Sequence, residues 1–247
     1  MSLDLVLRPL VYAALSGLLL APLERLFPAR RAGRTRRSLG TDLGFATVGV
    51  VMAHALVALS AGGILAALAS PDAPLADAPT WVSLPLGLLA FELAGYAYHR
   101  AAHALAPLRR LHDVHHSATH MDWLAGFRQL ALLGLPLAEH AAVVVAMQTH
   151  TLFVHANLRT PGWLAWFVAT PAFHHRHHDR EAALANYASL FPWIDRVFGT
   201  ASEAPAGDFG LPGPEREGFV ALLLAPLRRG CGRPAGRRRP ARGDRPA

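Results

Sequence analysis

Long apolar runs alternate with stretches rich in arginine or proline through the first two thirds of the chain. The runs extend over about residues 5–23, 43–69, 82–98 and 130–154. Each approaches the roughly 20 consecutive apolar residues that a helix needs to cross the hydrocarbon core of a bilayer. With 52% hydrophobic residues in the chain, this pattern predicts an all-α fold that forms an integral membrane helical bundle.

The distribution of arginine orients these predicted helices. Six arginines lie between the first and second runs, whereas the loop at 69–80 carries two aspartates and no arginine. Because basic residues favour the cytoplasmic side of a membrane, we expect the first loop to be cytoplasmic and the third run to end at the cytoplasmic surface. The fourth run is then expected to enter the membrane and return, bending near Gly134 and Pro136, so that both its flanks stay on that side.

Composition divides the chain into three parts. Residues 1–40 are expected to form an N-terminal membrane anchor and basic loop, residues 41–200 a central domain with most of the histidines, and residues 201–247 a largely disordered tail rich in proline, glycine and arginine. The net charge of +7 comes from arginine blocks without interleaved aromatic residues, so no nucleic-acid partner is expected. Such blocks beside apolar runs more often face anionic lipid.

Histidines gather near the ends of the apolar runs. The chain has 14 histidines, and the stretches HRAAH, HDVHHSATH and HHRHH contain members three or four residues apart. This spacing places side chains on one face of a helix, where two imidazoles can reach one metal ion. The candidates in these stretches are His99, His103, His112, His115, His116, His120, His174, His177 and His178. His155 stands apart from them, after the fourth run.

The number of histidines predicts two metal ions, because one ion takes only about four to six ligands. The single cysteine, Cys231, removes thiolate sites, and imidazole suits zinc, iron, copper and nickel alike, so the spacing leaves the metal open. Adventitious binding by a histidine-rich tract is the alternative. Glu92 lies two helical turns before His99, where it would accept a ring N–H of a ligand histidine or pair with Arg100 or Arg128.

These stretches and their flanks resemble the signature of the fatty acid hydroxylase and sterol desaturase superfamily of membrane di-iron proteins, and in particular its bacterial sterol desaturase members. The signature is an HxxxH box, an HxxHH box and, after an apolar stretch, a second HxxHH box. The corresponding boxes here are at 99–103, 112–116 and 174–178. The flanking phrases FELAGYAYHRAAH, FVHANLRTPGWL and NYASLFPWIDRVFGT are similar too, so the resemblance covers about residues 40–200.

The resemblance implies a catalytic domain with a cytoplasm-facing site for two iron ions. The eight box histidines are implied to be catalytic ligands, with His155 and His120 as further ligands and with Asn157 and Glu92 supporting them. O2 is the implied co-substrate. The implied electron source is NAD(P)H, acting through a separate ferredoxin, cytochrome or reductase. A membrane lipid is the implied substrate, and the bacterial inner membrane is the implied location.

Two positions depart from the superfamily pattern. Many bacterial relatives have a histidine shortly after the second box, and here that histidine is missing near Gln129. In the third box His175 stands where arginine is usual, and we expect it not to be a ligand.

The leading interpretation is an O2-dependent lipid oxidoreductase that hydroxylates, or desaturates, a C–H bond of a sterol-like, fatty acyl or carotenoid lipid. One alternative is a metal-binding membrane protein without redox chemistry, either a transporter or a metal-dependent hydrolase. A transporter would place its ligands near the middle of the membrane rather than at the ends of apolar runs. The other alternative is a degenerate family member that keeps only the scaffold.

Overall fold

Helices make up the secondary structure of the described part of the chain. The computed structural model describes residues 3–31, 38–53, 55, 78–129, 141–181, 184–212 and 218–227. No strand occurs within these ranges, and isolated bridges join Pro28 to Leu158 and Asp179 to Phe209. The predicted all-α class is confirmed for these residues.

Within the described ranges, two helices are longer than 20 residues. In chain order they are α1 (Leu3–Leu26), α2 (Leu39–Gly44), α3 (Thr80–Ala104), α4 (Ala106–His116), α5 (Ala141–His155), α6 (Pro171–His177), α7 (Pro192–Val197) and α8 (Phe219–Leu223). A π-helical turn, Phe45–Gly49, continues α2, and 3-10 turns occur at Gly162–Trp166 and Ala225–Leu227.

The helices α1 and α3 coincide with the first and third apolar runs, and both are long and apolar enough to cross a membrane. The second run begins in the apolar helical stretch Leu39–Ala53. Most of its remainder, up to residue 69, lies outside the described residues. The fourth run ends in α5, but the bend expected near Gly134 and Pro136 also lies outside the described residues.

An apolar core joins α1, the turn after α2, α5 and α8. Phe45, Phe127 and Leu152 are fully buried in it. Burial of one such side chain contributes roughly 1.5–3 kcal/mol. The chain makes room for α8 at Gly44, where an added Cβ would lie 2.7 Å from the Phe219 ring. Contacts therefore extend from the first helices to residues beyond 200.

Residues 201–212 also pack against the rest of the chain. The guanidinium of Arg30 donates hydrogen bonds to the carbonyls of Ala206 and Gly207 and lies over the Phe209 ring at 4.5 Å. These contacts cross the boundary that the sequence predicts near residue 200. Residues 228–247 of the predicted tail lie outside the described residues.

Short helices beside α3 and α5 hold most of the histidines. α4 packs against α3, and the extended residue Leu105 separates the two helices. α6 packs against the end of α5. Thr170 caps α6 by accepting a 3.4 Å hydrogen bond from the Phe173 amide, and Pro171 occupies the first turn, where its missing N–H costs nothing.

Candidate metal centre

Among the residues that the structure describes, nine histidines converge in two clusters. In each cluster the ligand atoms, one ring nitrogen per residue, all lie within 4.8 Å of one another. The five-histidine cluster consists of His99, His103, His112, His116 and His177. The four-histidine cluster consists of His115, His155, His174 and His178.

Both HxxHH boxes contribute to both clusters. On α4, His112 and His116 are one turn apart and join the five-histidine cluster, whereas His115 joins the four-histidine cluster. The third box contributes His177 to the five-histidine cluster and His174 and His178 to the four-histidine cluster. The clusters are adjacent, since the rings of His116 and His178 stack with their centroids 4.2 Å apart.

The distances between ring nitrogens fit metal coordination. In the five-histidine cluster the Nε2 atoms of His112 and His116 are 3.1 Å apart. In the four-histidine cluster Nε2 of His155 lies 3.0 Å from Nε2 of His174 and 3.3 Å from Nε2 of His115. Metal–nitrogen bonds of about 2.0–2.1 Å place neighbouring ligand nitrogens about 2.9–3.4 Å apart in octahedral or tetrahedral sites. Each cluster therefore suits one metal ion.

Backbone carbonyls determine which ring nitrogen is free to bind. Nδ1 of His99 lies 2.7 Å from the Tyr187 carbonyl, and Nδ1 of His177 lies 2.7 Å from the Ala185 carbonyl. A carbonyl only accepts hydrogen bonds, so Nδ1 carries the hydrogen in both rings. In the neutral ring Nε2 then carries no hydrogen, and its lone pair points into the cluster. A metal-bound histidine presents its lone pair in the same way.

Lone pairs that converge in this way indicate a cation. Nδ1 of His155 donates to the Thr151 carbonyl at 2.6 Å, so its Nε2 also carries a lone pair and no hydrogen. Nε2 of His103 lies 3.1 Å from Nε2 of His177. A neutral imidazole has only one N–H, so hydrogen bonds among the rings cannot satisfy every converging nitrogen. One metal ion in each cluster would satisfy them together.

Burial keeps the clustered imidazoles neutral. Desolvation lowers the pKa of the histidines on α4 and in the third box, and neighbouring histidine charges lower it further. The cluster residues concerned are His112, His115, His116, His174, His177 and His178. Neutral imidazole is the form that binds metal, so these rings need not lose a proton before binding at pH 7.

His120 does not join either cluster, although the resemblance implies that it is a ligand. Helix α4 ends at His116, and the chain then turns, so the one-turn relation between His116 and His120 is lost. His120 instead lines a polar pocket of about 140 Å³ together with Arg31 and Thr119.

His175 also lies outside both clusters, as the sequence predicts. Its Nε2 donates to the His155 carbonyl at 3.1 Å, and its ring packs against Phe209. Asn157, which the resemblance implies supports the ligands, pairs with the backbone of Arg30. Its side chain accepts from the Arg30 amide at 2.9 Å and donates to the Arg30 carbonyl at 2.8 Å, which fixes the chain that follows α1.

Glu92 binds backbone amides rather than a histidine or an arginine. It is 1% exposed, and its Oε1 accepts hydrogen bonds from the amides of Ser189 and Leu190 at 2.7 and 2.6 Å and of Phe191 at 3.3 Å. These amides are available because the chain at 187–191 is neither helix nor strand. The bonds attach this segment to α3, close to the five-histidine cluster.

Asp195 is a site residue that the sequence analysis does not identify. It is fully buried and accepts hydrogen bonds from the amides of Tyr187 at 2.8 Å and Ala188 at 2.7 Å. The sequence does not identify the carbonyls of Ala185 and Tyr187 either, because a backbone acceptor has no residue signature. A buried aspartate in the apolar phrase FPWIDRVF is the sequence signal that could have indicated Asp195.

Both clusters assemble without the histidine that is missing near Gln129. The neighbouring residue, Arg128, is 1% exposed and donates from Nε to Asp42 at 2.6 Å and from Nη1 to Ser117 at 2.6 Å. Ser117 follows α4 and donates to the Val114 carbonyl. Arg128 therefore holds the end of the helix that supplies three cluster histidines.

The helical fold and the paired imidazole clusters define a class, that of proteins able to hold two metal ions with histidine ligands. The family model for fatty acid hydroxylase matches residues 84–200, a range that contains all nine cluster histidines. This stretch of the chain is therefore similar to the fatty acid hydroxylase family.

Named relatives agree with this assignment. Ornithine lipid hydroxylase OlsE of Rhizobium tropici is 30% identical over 174 residues, which cover 61% of this chain and 52% of that protein. Alkylglycerol monooxygenase of Danio rerio is 30% identical over 161 residues, which cover 58% of this chain and 35% of that protein. The chain thus spans about half the length of the first relative and about a third of the second. No solved structure matches the chain.

Proposed function

We propose that this chain is an O2-dependent lipid hydroxylase that holds two iron ions in its histidine clusters. The observation that supports this most directly is the convergence of nine neutral imidazoles into two sites with metal-like nitrogen spacing. The names of its relatives, a lipid hydroxylase and a monooxygenase, support the reaction class. The site residues in this proposal are the nine cluster histidines, without His120.

The proposed reaction inserts one oxygen atom into a lipid C–H bond. O2, two electrons and two protons convert the C–H bond to C–OH and release one water molecule. When bound, a pair of irons supplies the activation of O2 that removal of an unactivated hydrogen requires. Desaturation consumes the same O2 and electrons but removes two hydrogens from the lipid and releases two waters. The relatives' names favour hydroxylation.

The chain's own residues hold and shield the site. The carbonyls of Ala185, Tyr187 and Thr151 orient three rings through their Nδ1 hydrogens. Burial of the cluster histidines excludes bulk water, which would otherwise compete for open coordination positions and quench a strong oxidant. Neither cluster includes a carboxylate to act as a general base, so metal-dependent hydrolysis is less well supported.

We propose that an apolar groove receives the alkyl part of a lipid. A cavity of about 500 Å³ lies between α1 and α5. Its lining residues include Leu19, Leu23, Thr149, His150 and Phe153. Phe153 lies two residues before the cluster residue His155 on α5, about 3 Å along the helix axis at about 1.5 Å per residue. We propose a membrane lipid with an acyl or alkyl chain as the substrate.

Electrons are proposed to come from NAD(P)H through a separate ferredoxin, cytochrome or reductase. The active side is proposed to face the cytoplasm, because five arginines lie between α1 and α2 and because α3 ends at the clusters.

Isotope labelling tests the reaction. Membranes that contain the chain are supplied with a lipid extract, NAD(P)H, a reductase system and 18O2, and the lipids are analysed by mass spectrometry. The proposal predicts lipids that gain one 18O atom, and no such gain with a His115→Ala/His116→Ala variant, which loses one ligand from each cluster. Label that appears equally with the variant would contradict the assignment, as would products without 18O that form equally well under nitrogen.

A further inference from the structure

Large exposed side chains, most of them aromatic, lie on the 3-10 turn Gly162–Trp166, on α7 and on the residues that directly follow each. The 3-10 turn Gly162–Trp166 packs against α7, and the guanidinium of Arg196 lies 4.5 Å over the Trp166 ring. We call this surface the aromatic platform. Its members and their exposed fractions are Trp163 64%, Trp166 62%, Phe167 65%, Trp193 40%, Val197 72% and Phe198 52%.

We infer that the aromatic platform lies in the interface between lipid headgroups and hydrocarbon. Exposed aromatic residues on this scale are unusual on a surface that faces only water. Tryptophan favours the membrane interface because its ring is apolar while its N–H can reach water or a headgroup. Arg196 adds a cation that can meet lipid phosphate while its stem lies on Trp166.

The length of α3 places the platform at that depth. With 25 residues, α3 is about 37 Å long at about 1.5 Å per residue, whereas the hydrocarbon core is about 30 Å thick. If α3 enters the hydrocarbon at Trp81, it leaves it near His99. Phe198 of the platform stacks on Tyr96 at 4.9 Å, one turn before His99. The platform and the five-histidine cluster would therefore lie at one boundary of the bilayer.

Tryptophan quenching in lipid vesicles tests this inference. Each variant keeps one of the five tryptophans and has phenylalanine in place of the others. We expect phosphatidylcholine brominated near its headgroup to quench Trp163 and Trp166 strongly, lipid brominated near its methyl end to quench them less, and aqueous iodide to quench them weakly. Trp123 is the matched control, because it is partly buried and packs on the apolar core against Phe127 with ring centroids 5.9 Å apart.

Two results would overturn the inference. Strong iodide quenching of Trp163 and Trp166 without quenching by brominated lipid would place the platform in water. The absence of quenching by either reagent would show that protein covers the platform. The measurement needs no metal and no substrate, so its outcome is independent of the proposed reaction.

A separate observation connects Asp195 to a cluster histidine through one peptide bond. The Asp195 carboxylate accepts the Ala188 N–H at 2.7 Å, and the carbonyl of the same peptide unit, that of Tyr187, accepts the Nδ1 hydrogen of His99 at 2.7 Å. Hydrogen bonds in such chains polarise and strengthen one another. We propose that Asp195 is a positioning residue that strengthens His99 as a metal ligand, a proposal that rests on the proposed function.

Glu92 provides a matched comparison on the same segment. It is also a buried carboxylate that accepts backbone amides, but the peptide unit between Ser189 and Leu190 leads elsewhere. The carbonyl of that unit, on Ser189, lies 3.1 Å from Nε2 of His150, which belongs to neither cluster. Loss of either carboxylate weakens the attachment of the segment, and only loss of Asp195 weakens a hydrogen bond that continues to a cluster ring.

The test compares Asp195→Asn with Glu92→Gln in iron-loaded protein. Outer partners of metal ligands typically change metal affinity about 10–100-fold. We expect a loss of this size for one of the two irons in Asp195→Asn, measured by chelator competition, with a change in the Mössbauer signal of that iron alone. Glu92→Gln is expected to change iron affinity by less than about threefold while lowering thermal stability.

Equal iron affinities in the two variants would overturn the role of Asp195. Protein without stoichiometric iron would instead contradict the proposed function, so the two failures are distinguishable. If Asp195→Asn does not fold, Thr200→Val serves in its place, because the Thr200 hydroxyl donates to Asp195 Oδ1 at 2.6 Å. We expect Thr200→Val to shift the Mössbauer signal of the same iron by less than the shift expected for Asp195→Asn. An unchanged signal would overturn the proposal.

Discussion

His175 and His177 show how neighbouring residues of one sequence box take different roles. His177 donates from Nδ1 to the Ala185 carbonyl and directs Nε2 into the five-histidine cluster. His175 uses its Nε2 for the carbonyl of His155 and so holds the backbone of another cluster residue. The role of each ring is decided by which of its nitrogens is already bonded to backbone.

Single substitutions should separate ligands from bystanders. His178→Ala leaves three imidazoles in the four-histidine cluster, so we expect metal affinity there to fall at least about tenfold, a typical lower bound even for outer partners. His120→Ala should leave the metal content unchanged, because His120 lines a separate polar pocket. Metal analysis of the purified variants is the measurement. If His120→Ala loses metal to the same extent as His178→Ala, this assignment is incorrect.

His175 should make stability depend on pH. Burial lowers its pKa from 6.5 to about 4, so between these values the unfolded chain binds a proton that the folded chain does not. Its contribution to stability is therefore complete above pH 6.5 and is lost as the pH falls. Between pH 7 and pH 5 this loss is about 2 kcal/mol.

His175→Gln keeps a hydrogen-bond donor without the titration. Comparison of its free energy of unfolding with that of the unmodified chain, in detergent and without metal, isolates the histidine from the other titrating groups. The difference in the free energy of unfolding between the two proteins should become smaller as the pH falls from 7 to 5. A difference independent of pH would show that His175 titrates normally in the folded chain.

The sequence predicts which histidines lie in a cluster, but it does not predict how they are divided between the two clusters. All eight box residues and His155 lie in the clusters. Their division between two clusters was not predictable, because it depends on how α4 and α6 face each other. His120 satisfied the spacing rule but lies beyond the end of its helix. Backbone acceptors and the amides bound by Glu92 depend on chain path, which spacing does not encode.

At the scale of elements, α4 affects both clusters because it supplies ligands to each. Its end is held by the buried ion pair between Arg128 and Asp42 and by the bond from Arg128 to Ser117. Arg128→Met would leave the buried carboxylate of Asp42 without this cation, and we expect it to lower the free energy of unfolding by about 3–5 kcal/mol. Unfolding in mild detergent measures the effect.

The double variant Asp42→Asn/Arg128→Met is the matched control. It removes both charges, so we expect it to recover a substantial part of the lost stability. If the double variant loses as much free energy of unfolding as the two single variants lose together, the two charges act independently.

The groove between α1 and α5 should control substrate length. Ala146 lines it and is exposed. Ala146→Trp would fill part of the cavity, so we expect KM to rise for lipids with long chains and to change little for lipids with short chains. Ala146→Ser is the control for a change that adds little volume. Equal KM changes for both chain lengths would contradict binding of the alkyl chain in this groove.

At the scale of the whole molecule, the sequence predicts the helical class and the two long apolar helices, because hydrophobic run length reports them directly. It does not predict that residues 206–209 pack against Arg30 after α1, or that α8 packs back on the first helices. These contacts depend on single features, such as Arg30 over Phe209 and the space at Gly44. The composition of a segment is an average over its residues, so it does not reveal contacts that single residues make.

Two metal ions, one for each cluster, are central to the proposed function. The most direct test is the iron content of protein purified in detergent without added metal or chelator, with Mössbauer spectra of material grown on 57Fe. The account predicts about two irons per chain, about one in His112→Ala/His116→Ala and about one in His174→Ala/His178→Ala, since each pair disables one cluster. Zinc alone, or no stoichiometric metal after anaerobic loading with iron, would contradict it.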